Sequence, residues 1–489
     1  MANLISTRAR AIASEIVDPT YNPANTALNL RTAENWMIRE ELIDLYCELL
    51  RNELDPSDLS YGKGFGGDPE LLEATAAVLN DYFNPADPVS PDDVVITTGA
   101  SLALNSLMDI LCNEGDEVLI TAPHWNGFDQ HLVARNGVKL RRVYETSADI
   151  GVTPPEKLLT GSLVSALTDA YESSADPSRV KALVITNAHN PYGRYYPESV
   201  IKEAMLWCGA RGIHYVSDEV YALSELTAPK GERDPLFVSA LAVKFKEEEY
   251  DRVPEASVIW GTSKDLCSSG LRVGVYVHRP APESAFSRVT ATTGARASLS
   301  ASLSVPLGRN ELTTALSNLT NMHLPTLTTS LLTKGLFKSE KLPDLLVRSR
   351  MSLCRNYEVL RDYLEKWNVP YVEPQGTPFV FARLACVVAR KRGSRNLSAK
   401  GRGEPMGCSC SWKDEEFLVK TLADRAFVLV APGRQFHVAN EPEASISAGR
   451  GGDEEPNERA GWVRITIGVP RSVLEAAIAR IAAELGLER

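Results

Sequence analysis

Ser257-Val258-Ile259-Trp260-Gly261-Thr262-Ser263-Lys264, continuing as Asp265-Leu266-Cys267-Ser268-Ser269-Gly270-Leu271-Arg272-Val273-Gly274, is the stretch that decides the fold. It reads as a short buried strand that ends in small polar residues and delivers one lysine at its tip. Arg272 then opens a second apolar run, Val273 to Val277. A lysine at the mouth of a buried strand can lose its proton and attack a carbonyl. An arginine close by suits a phosphate. The same residues also fit a surface lysine capping a strand, and the run alone does not separate the two readings.

Working outward, 489 residues are too many for one simple core and imply two or three lobes. A net charge of −11 argues against general affinity for nucleic acid or anionic membrane. No apolar stretch reaches the ~18 residues of a membrane span, and Met1-Ala2-Asn3-Leu4-Ile5 lacks the apolar core of a secretory signal. The eight cysteines are scattered, with only Cys408 and Cys410 close together, a pattern of free thiols in a reducing compartment. None of the seven histidines is paired at helical spacing, so no metal site is expected. A cytoplasmic protein fits these observations.

Residues 1–30 are polar and turn-rich and read as an arm over a neighbouring surface. Ile38, Leu42, Leu45 and Leu49 follow at helical spacing, with Glu34 ahead of them as a possible capping group. Gly62-Lys63-Gly64-Phe65-Gly66-Gly67 has dinucleotide-fingerprint spacing, but no strand precedes it and Asp68-Pro69-Glu70 starts a new helix, so it is a decoy. Strands are then predicted at Val94–Thr97, Val118–Ile120, Val138–Val143, Ala182–Thr186 and Ile213–Val216, with helices between several of them. That alternation predicts an α/β fold with a mostly parallel sheet and its ligands at the carboxyl ends of the strands. Trp125, Asn190, Asp218, Tyr221 and Lys264 stand at those ends. Gly99-Ala100-Ser101 opens a helix whose first N–H groups suit an anion. A helix at Leu346–Trp367, strands at Phe379–Phe381, Phe427–Val430 and Arg464–Ile467, and a helix at Val473–Leu485 make a smaller α+β lobe. Two inserts interrupt it, near residues 388–411 and 440–460, and both read as mobile surface loops.

Singly, each strand-end residue has a dull reading: Asp218 a helix cap, Asn190 a turn, Trp125 core packing, Arg464 a surface charge. In series they are more specific. An aromatic, then Asn190-Pro191-Tyr192-Gly193, Asp218-Glu219-Val220-Tyr221, Ser263-Lys264, Gly270-Leu271-Arg272-Val273-Gly274 and a C-terminal Arg464 resemble fold-type I pyridoxal 5′-phosphate enzymes of the class I/II aminotransferase family. Ala33-Glu34-Asn35, Pro123-His124-Trp125-Asn126-Gly127-Phe128-Asp129, Ser263-Lys264-Asp265-Leu266 and Pro432-Gly433-Arg434-Gln435-Phe436-His437 are most similar to its 1-aminocyclopropane-1-carboxylate (ACC) synthase branch.

The resemblance implies a seven-stranded, mostly parallel sheet between helices in a large domain, residues 86–335. Residues 1–85 would form an arm and part of the small domain, and 336–489 its remainder. Lys264 would bond covalently to the cofactor aldehyde and then take the Cα proton, with Asp218 by the pyridine nitrogen. Tyr221 and Asn190 would meet the ring 3′-oxygen, and Trp125 the ring face. Ala100, Ser101, Ser263 and Arg272 would hold the phosphate, joined by Tyr61 from the other protomer of a homodimer with shared sites. Arg464 would grip the substrate α-carboxylate, with Glu34 near the substrate. Relatives usually carry a phosphate-binding serine where this chain has Gly261. The reaction expected first is ACC synthase-like γ-displacement or γ-elimination through a Cα carbanion, with S-adenosylmethionine as substrate. The alternatives are an aminotransferase acting between an amino acid and a 2-oxo acid, and a non-catalytic relative that binds the cofactor.

Overall fold

Short apolar runs bounded by Gly, Pro and Asp build the central sheet of this computed structural model, which describes residues 27–226, 237–282, 311–320, 324–396, 409–439 and 455–488. After the two-residue β1 (Leu28–Asn29) come β2 (Val94–Thr97), β3 (Glu117–Ala122), β4 (Lys139–Tyr144), β5 (Val180–Thr186), β6 (His214–Asp218), β7 (Ala256–Gly261) and β8 (Gly274–Arg279). The last seven form one sheet in the order β2-β8-β7-β6-β5-β3-β4. The pairs from β7 to β4 are parallel, whereas β8 is antiparallel to both β2 and β7. β3, β6 and β7 are buried along their whole length, because both faces of the sheet are covered. β4, at the edge, carries Lys139, Arg141 and Arg142, charges that discourage a further strand from pairing.

A second layer holds β9 (Tyr371–Val372), β10 (Phe379–Ala382), β11 (Val428–Leu429), β12 (Ala431–Pro432) and β13 (Val463–Thr466). Four of these form an antiparallel sheet, β12-β13-β10-β9, while β11 pairs in parallel with β1. The helix Arg471–Leu485 buries Leu474, Ala477, Ile478, Ile481, Ala482 and Leu485, one apolar stripe at helical spacing. It stops at Gly486, whose φ of 55° is the left-handed conformation of a helix C-cap. The segment after β1 runs along this second layer: Thr466 N–H donates to Leu30 O, and Trp36 N–H to Gly468 O. Ala33 and Glu34 are thereby carried toward the rim of the large sheet.

The glycine run Gly62–Gly67 is preceded by a 3₁₀ turn, Pro56–Leu59, and followed by the helix Pro69–Tyr82 that Asp68 caps. It is a turn packed on β2, as Ile96 N–H donates to Gly66 O. Three readings need correction. Part of the first insert is the helix Cys386–Asn396, where Arg390 donates to Trp367 O and Arg392 pairs with Asp414. Its polar surface hid a buried face of Cys386, Val387 and Ala389. Of Phe427–Val430 only Val428–Leu429 (β11) is a strand, with Phe427 itself at a φ of 54° and β12 starting beyond Val430. Cys47, Cys112, Cys208, Cys267 and Cys354 are free thiols as expected, and Cys386 departs from that reading in being disulfide-bonded. Residues 1–26 and 440–454 lie outside the described residues. No helix among the described residues is long and apolar enough to cross a membrane.

Candidate active site

β7 ends at Gly261 and turns at once into the single helical turn Thr262–Asp265, which carries Lys264. Gly261 pairs with Gly274 of β8, and a Cβ there would lie 2.6 Å from the Val273 carbonyl oxygen. The close backbone approach leaves no room there for a side chain unless the backbone shifts. The Lys264 ammonium donates to the Ala33 carbonyl. Its pKa is lowered from 10.5 to about 8, first by burial and then by the Arg464 and Arg272 cations, against the pull of Glu34 and Asp218. Asp265 anchors the turn: its carboxylate accepts from Trp260 Nε1 at 2.8 Å, Leu223 N–H at 3.0 Å and Ser224 Oγ at 2.6 Å.

The parallel strands bring their carboxyl ends to the same rim. Asp218 closes β6, is buried, and has an Oδ1 with no hydrogen-bond partner among the described residues. Burial raises its pKa to about 7, opposed by the Val220 N–H, Lys264 and Thr186. Tyr221 is buried edge-on to Phe379 at 5.5 Å, and burial pushes its phenol up. Arg464, on β13, donates from Nη1 to Asn190 Oδ1 at 2.8 Å and from Nη2 to Arg31 O at 2.9 Å. Its guanidinium lies over Phe379 at 4.8 Å and Phe436 at 4.9 Å. Its Nε has no partner among the described residues. Burial lowers its pKa to about 10, Tyr221 opposing and Arg31 adding to the effect.

The helix Ala100–Leu111 begins at Gly99, whose φ is 88° and which has no side-chain cap. The first amides of a helix have no intrahelical acceptor and are free for an anion. A Cβ on Gly99 would run into the Arg272 guanidinium, and one on Gly274 into the Gly99 and Ala100 backbone. Arg272 therefore lies directly over the helix start. These residues fit pyridoxal phosphate: an unpartnered buried carboxylate oxygen for the ring nitrogen, a lysine of lowered pKa for the aldehyde, and a cation over free amides for the phosphate. Ser263, partly buried, is next to Lys264.

Other residues singled out by sequence are placed differently. Trp125, just past β3, sets its indole against Phe128 at 5.6 Å and His131 at 5.4 Å. Tyr61 is 88% exposed. Glu34 caps no helix; its oxygens accept from Trp36 Nε1 at 2.9 Å, Arg39 Nη2 at 3.0 Å and Ser269 Oγ. Burial alone would raise its pKa, but the bonds from Ser269, Trp36 and Arg39 leave it lowered. Sequence reasoning missed Asp265, the aromatic faces on Arg464, and the Ala33 and Arg31 carbonyls. His124, Asp129 and His437 lie close enough together to hold a metal ion, but Arg142 donates to both Asp129 and His124. Its fixed cation already neutralises the group.

Residues 29–481 match the family described as aminotransferase class I and II. The probable aminotransferase aclI of Aspergillus oryzae is 34% identical over 465 residues, which cover 95% of this chain and 92% of the relative. The probable aminotransferase gliI of Aspergillus fumigatus is 32% identical over 469 residues, 96% of this chain and 91% of the relative. The 1-aminocyclopropane-1-carboxylate synthase-like protein 1 of Homo sapiens is 29% identical over 261 residues, 53% of this chain and 49% of the relative. An aspartate aminotransferase double mutant of Thermus thermophilus shares the fold with a TM-score of 0.65 at 18% identity, covering 98% of this chain and 99% of that one. The chain belongs to the class I and II aminotransferase family. It is a pyridoxal phosphate-dependent enzyme of fold type I.

Proposed function

We propose that this enzyme is an aminotransferase, moving an amino group between an amino acid and a 2-oxo acid. The observation that carries the proposal is the neutralisable Lys264 set on one rim with Asp218 and the caged Arg464. Near-full-length likeness to two probable aminotransferases supports it further. Arg464, held in place by Phe379 and Phe436, offers a planar fork to the substrate α-carboxylate. Lys264, with a pKa of about 8, is a fit base for the Cα proton near neutral pH. Bound pyridoxal phosphate supplies the electron sink that makes that proton removable. Asp218 would face the ring nitrogen, Tyr221 and Asn190 the 3′-oxygen, and Trp125 the ring face. Ala100, Ser101, Ser263 and Arg272 would hold the phosphate. The exposed Tyr61 would complete that site in the other protomer of a homodimer.

A second reading, γ-displacement or γ-elimination on S-adenosylmethionine, draws on the Ala33–Asn35 and Pro123–Asp129 runs and on the half-length likeness to the human ACC synthase-like protein. Glu34, an anion felt by Lys264, would then meet the sulfonium. Its engagement by Trp36, Arg39 and Ser269 weighs against that role. Purified holoenzyme incubated with single amino acids and a 2-oxo acid should yield a new 2-oxo acid. Release of methylthioadenosine from S-adenosylmethionine without any 2-oxo acid would replace the first reading by the second. Silence in both assays, across a full amino-acid panel, would favour a non-catalytic relative.

A further inference from the structure

The runs Pro123–Asp129 and Gly433–His437 belong to different layers, one after β3 and the other after β12, and the structure knits them together. His124 N–H donates to the Phe436 carbonyl at 2.9 Å. The His124 and His437 rings stack with centroids 4.7 Å apart. His437 Nε2 donates to Asp129 Oδ2 at 2.9 Å. Arg142, on β4, donates to the other oxygen of Asp129 and, at 3.2 Å, to His124 Nε2. His124 Nδ1 therefore carries the proton and donates it to Trp125 O at 2.9 Å. Burial keeps the His124 ring neutral, with a pKa of about 3.

This cluster ends one residue from the Arg464 cage. Phe436 closes the turn Gly433–Phe436, and the Arg464 guanidinium lies over its ring at 4.9 Å as well as over that of Phe379 at 4.8 Å. A guanidinium packed on two aromatic rings is restrained before a carboxylate arrives, so less ordering accompanies binding. We propose that Asp129, His437 and Arg142 form a latch that seats Phe436 on Arg464 and so sets the affinity for the substrate α-carboxylate. The latch rests on the carboxylate role of Arg464 given above. Asp129 and His437 are positioning residues that act through Phe436.

The test uses the holoenzyme and three variants. His437→Phe keeps a ring for stacking on His124 and removes the donor to Asp129. His437→Gln restores a side-chain N–H, and Arg464→Lys calibrates the carboxylate site. The readouts are KM and kcat for the best amino acid, and the calorimetric Kd of 2-aminoisobutyrate, which has the α-amino and α-carboxylate groups and no Cα proton. His437→Phe should raise KM and Kd about tenfold, the weight of one charge-assisted hydrogen bond, with a smaller fall in kcat. His437→Gln should recover most of that loss. KM and Kd within about twofold of the parent in a folded His437→Phe would overturn the latch, as would a His437→Gln variant no better than His437→Phe. Should His437→Phe fail to fold, Asp129→Asn carries the same expectation for KM and Kd. An unchanged Kd in Arg464→Lys would instead remove the carboxylate role on which the latch depends. A weakened Arg464→Lys beside an unaffected His437→Phe would remove the latch alone.

Discussion

Capture of the cofactor by enzyme stripped of it reads the Lys264 amine directly, because only the neutral amine attacks an aldehyde. Burial, Arg464 and Arg272 bring its pKa from 10.5 to about 8. At pH 7 roughly 9% of Lys264 is then neutral, against about 0.03% for an ordinary lysine, a gain of about 300-fold. Visible absorbance after mixing stripped enzyme with pyridoxal phosphate gives the rate constant. It should climb about tenfold per pH unit below pH 7 and level off above about pH 8. Two variants check the causes. Arg464→Gln removes a cation that lowers the pKa, so the midpoint should move up. Glu34→Gln removes an anion that raises it, so the midpoint should move down. A rate still climbing at pH 10, or shifts of the opposite sign, would refute the account of Lys264.

Gly261→Ser, which installs the residue that the family resemblance led one to expect, should weaken cofactor retention on dialysis, because its Cβ meets the Val273 carbonyl oxygen at 2.6 Å; tighter retention would show that the backbone yields. Asp218→Asn should cost at least ~10²-fold in turnover. In stripped enzyme the same change should raise the melting temperature at pH 8, where Asp218, with a folded pKa of about 7, is ionised at a cost in the native state. The gain should fade as pH drops toward 4, where the buried acid is protonated; a gain independent of pH would count against the shift. Asp265→Ala strands the donors of Trp260, Leu223 and Ser224 and should destabilise the fold by about 2–4 kcal/mol in denaturant titration.

Particular residues show what the sequence could disclose. β2, β3, β5 and β7 were legible because both faces are covered, so their side chains are apolar without alternation. Lys264, Asp218, Asn190 and Arg464 were legible because each is a chemically distinctive residue at a strand end or on a strand, and their order matched one family. Their neighbours were not. Phe379 and Phe436 read as core aromatics, and only tertiary packing brings both rings against Arg464. Asp265 looked like one more polar residue, since its three donors come from segments distant in the chain or from the strand behind it. Glu34 invited a cap or a substrate contact; Arg39 and Ser269, which claim it, carry no local signal. The basic run from Arg390 looked like a loop because its partners are remote in the chain: Lys391 and Arg390 donate to the Leu485 and Trp367 carbonyls, and Arg392 pairs with Asp414.

The reversed direction of β8 has a consequence for the order in which the enzyme assembles. Had β8 run parallel to β7, its start and Arg272 beside it would stand at the opposite rim, about 20 Å from the lysine end for six residues at ~3.3 Å each. Turning back at once instead fixes Lys264 against Arg272 through contacts that are near neighbours in the chain, which close at small entropic cost. Arg464 reaches the rim only after β13 docks, with nearly two hundred further residues synthesised. We expect the cofactor end of the site to form early and the substrate end last. Pulse-labelled amide exchange during refolding should then protect β7 and β8 before β13; the reverse order would refute it.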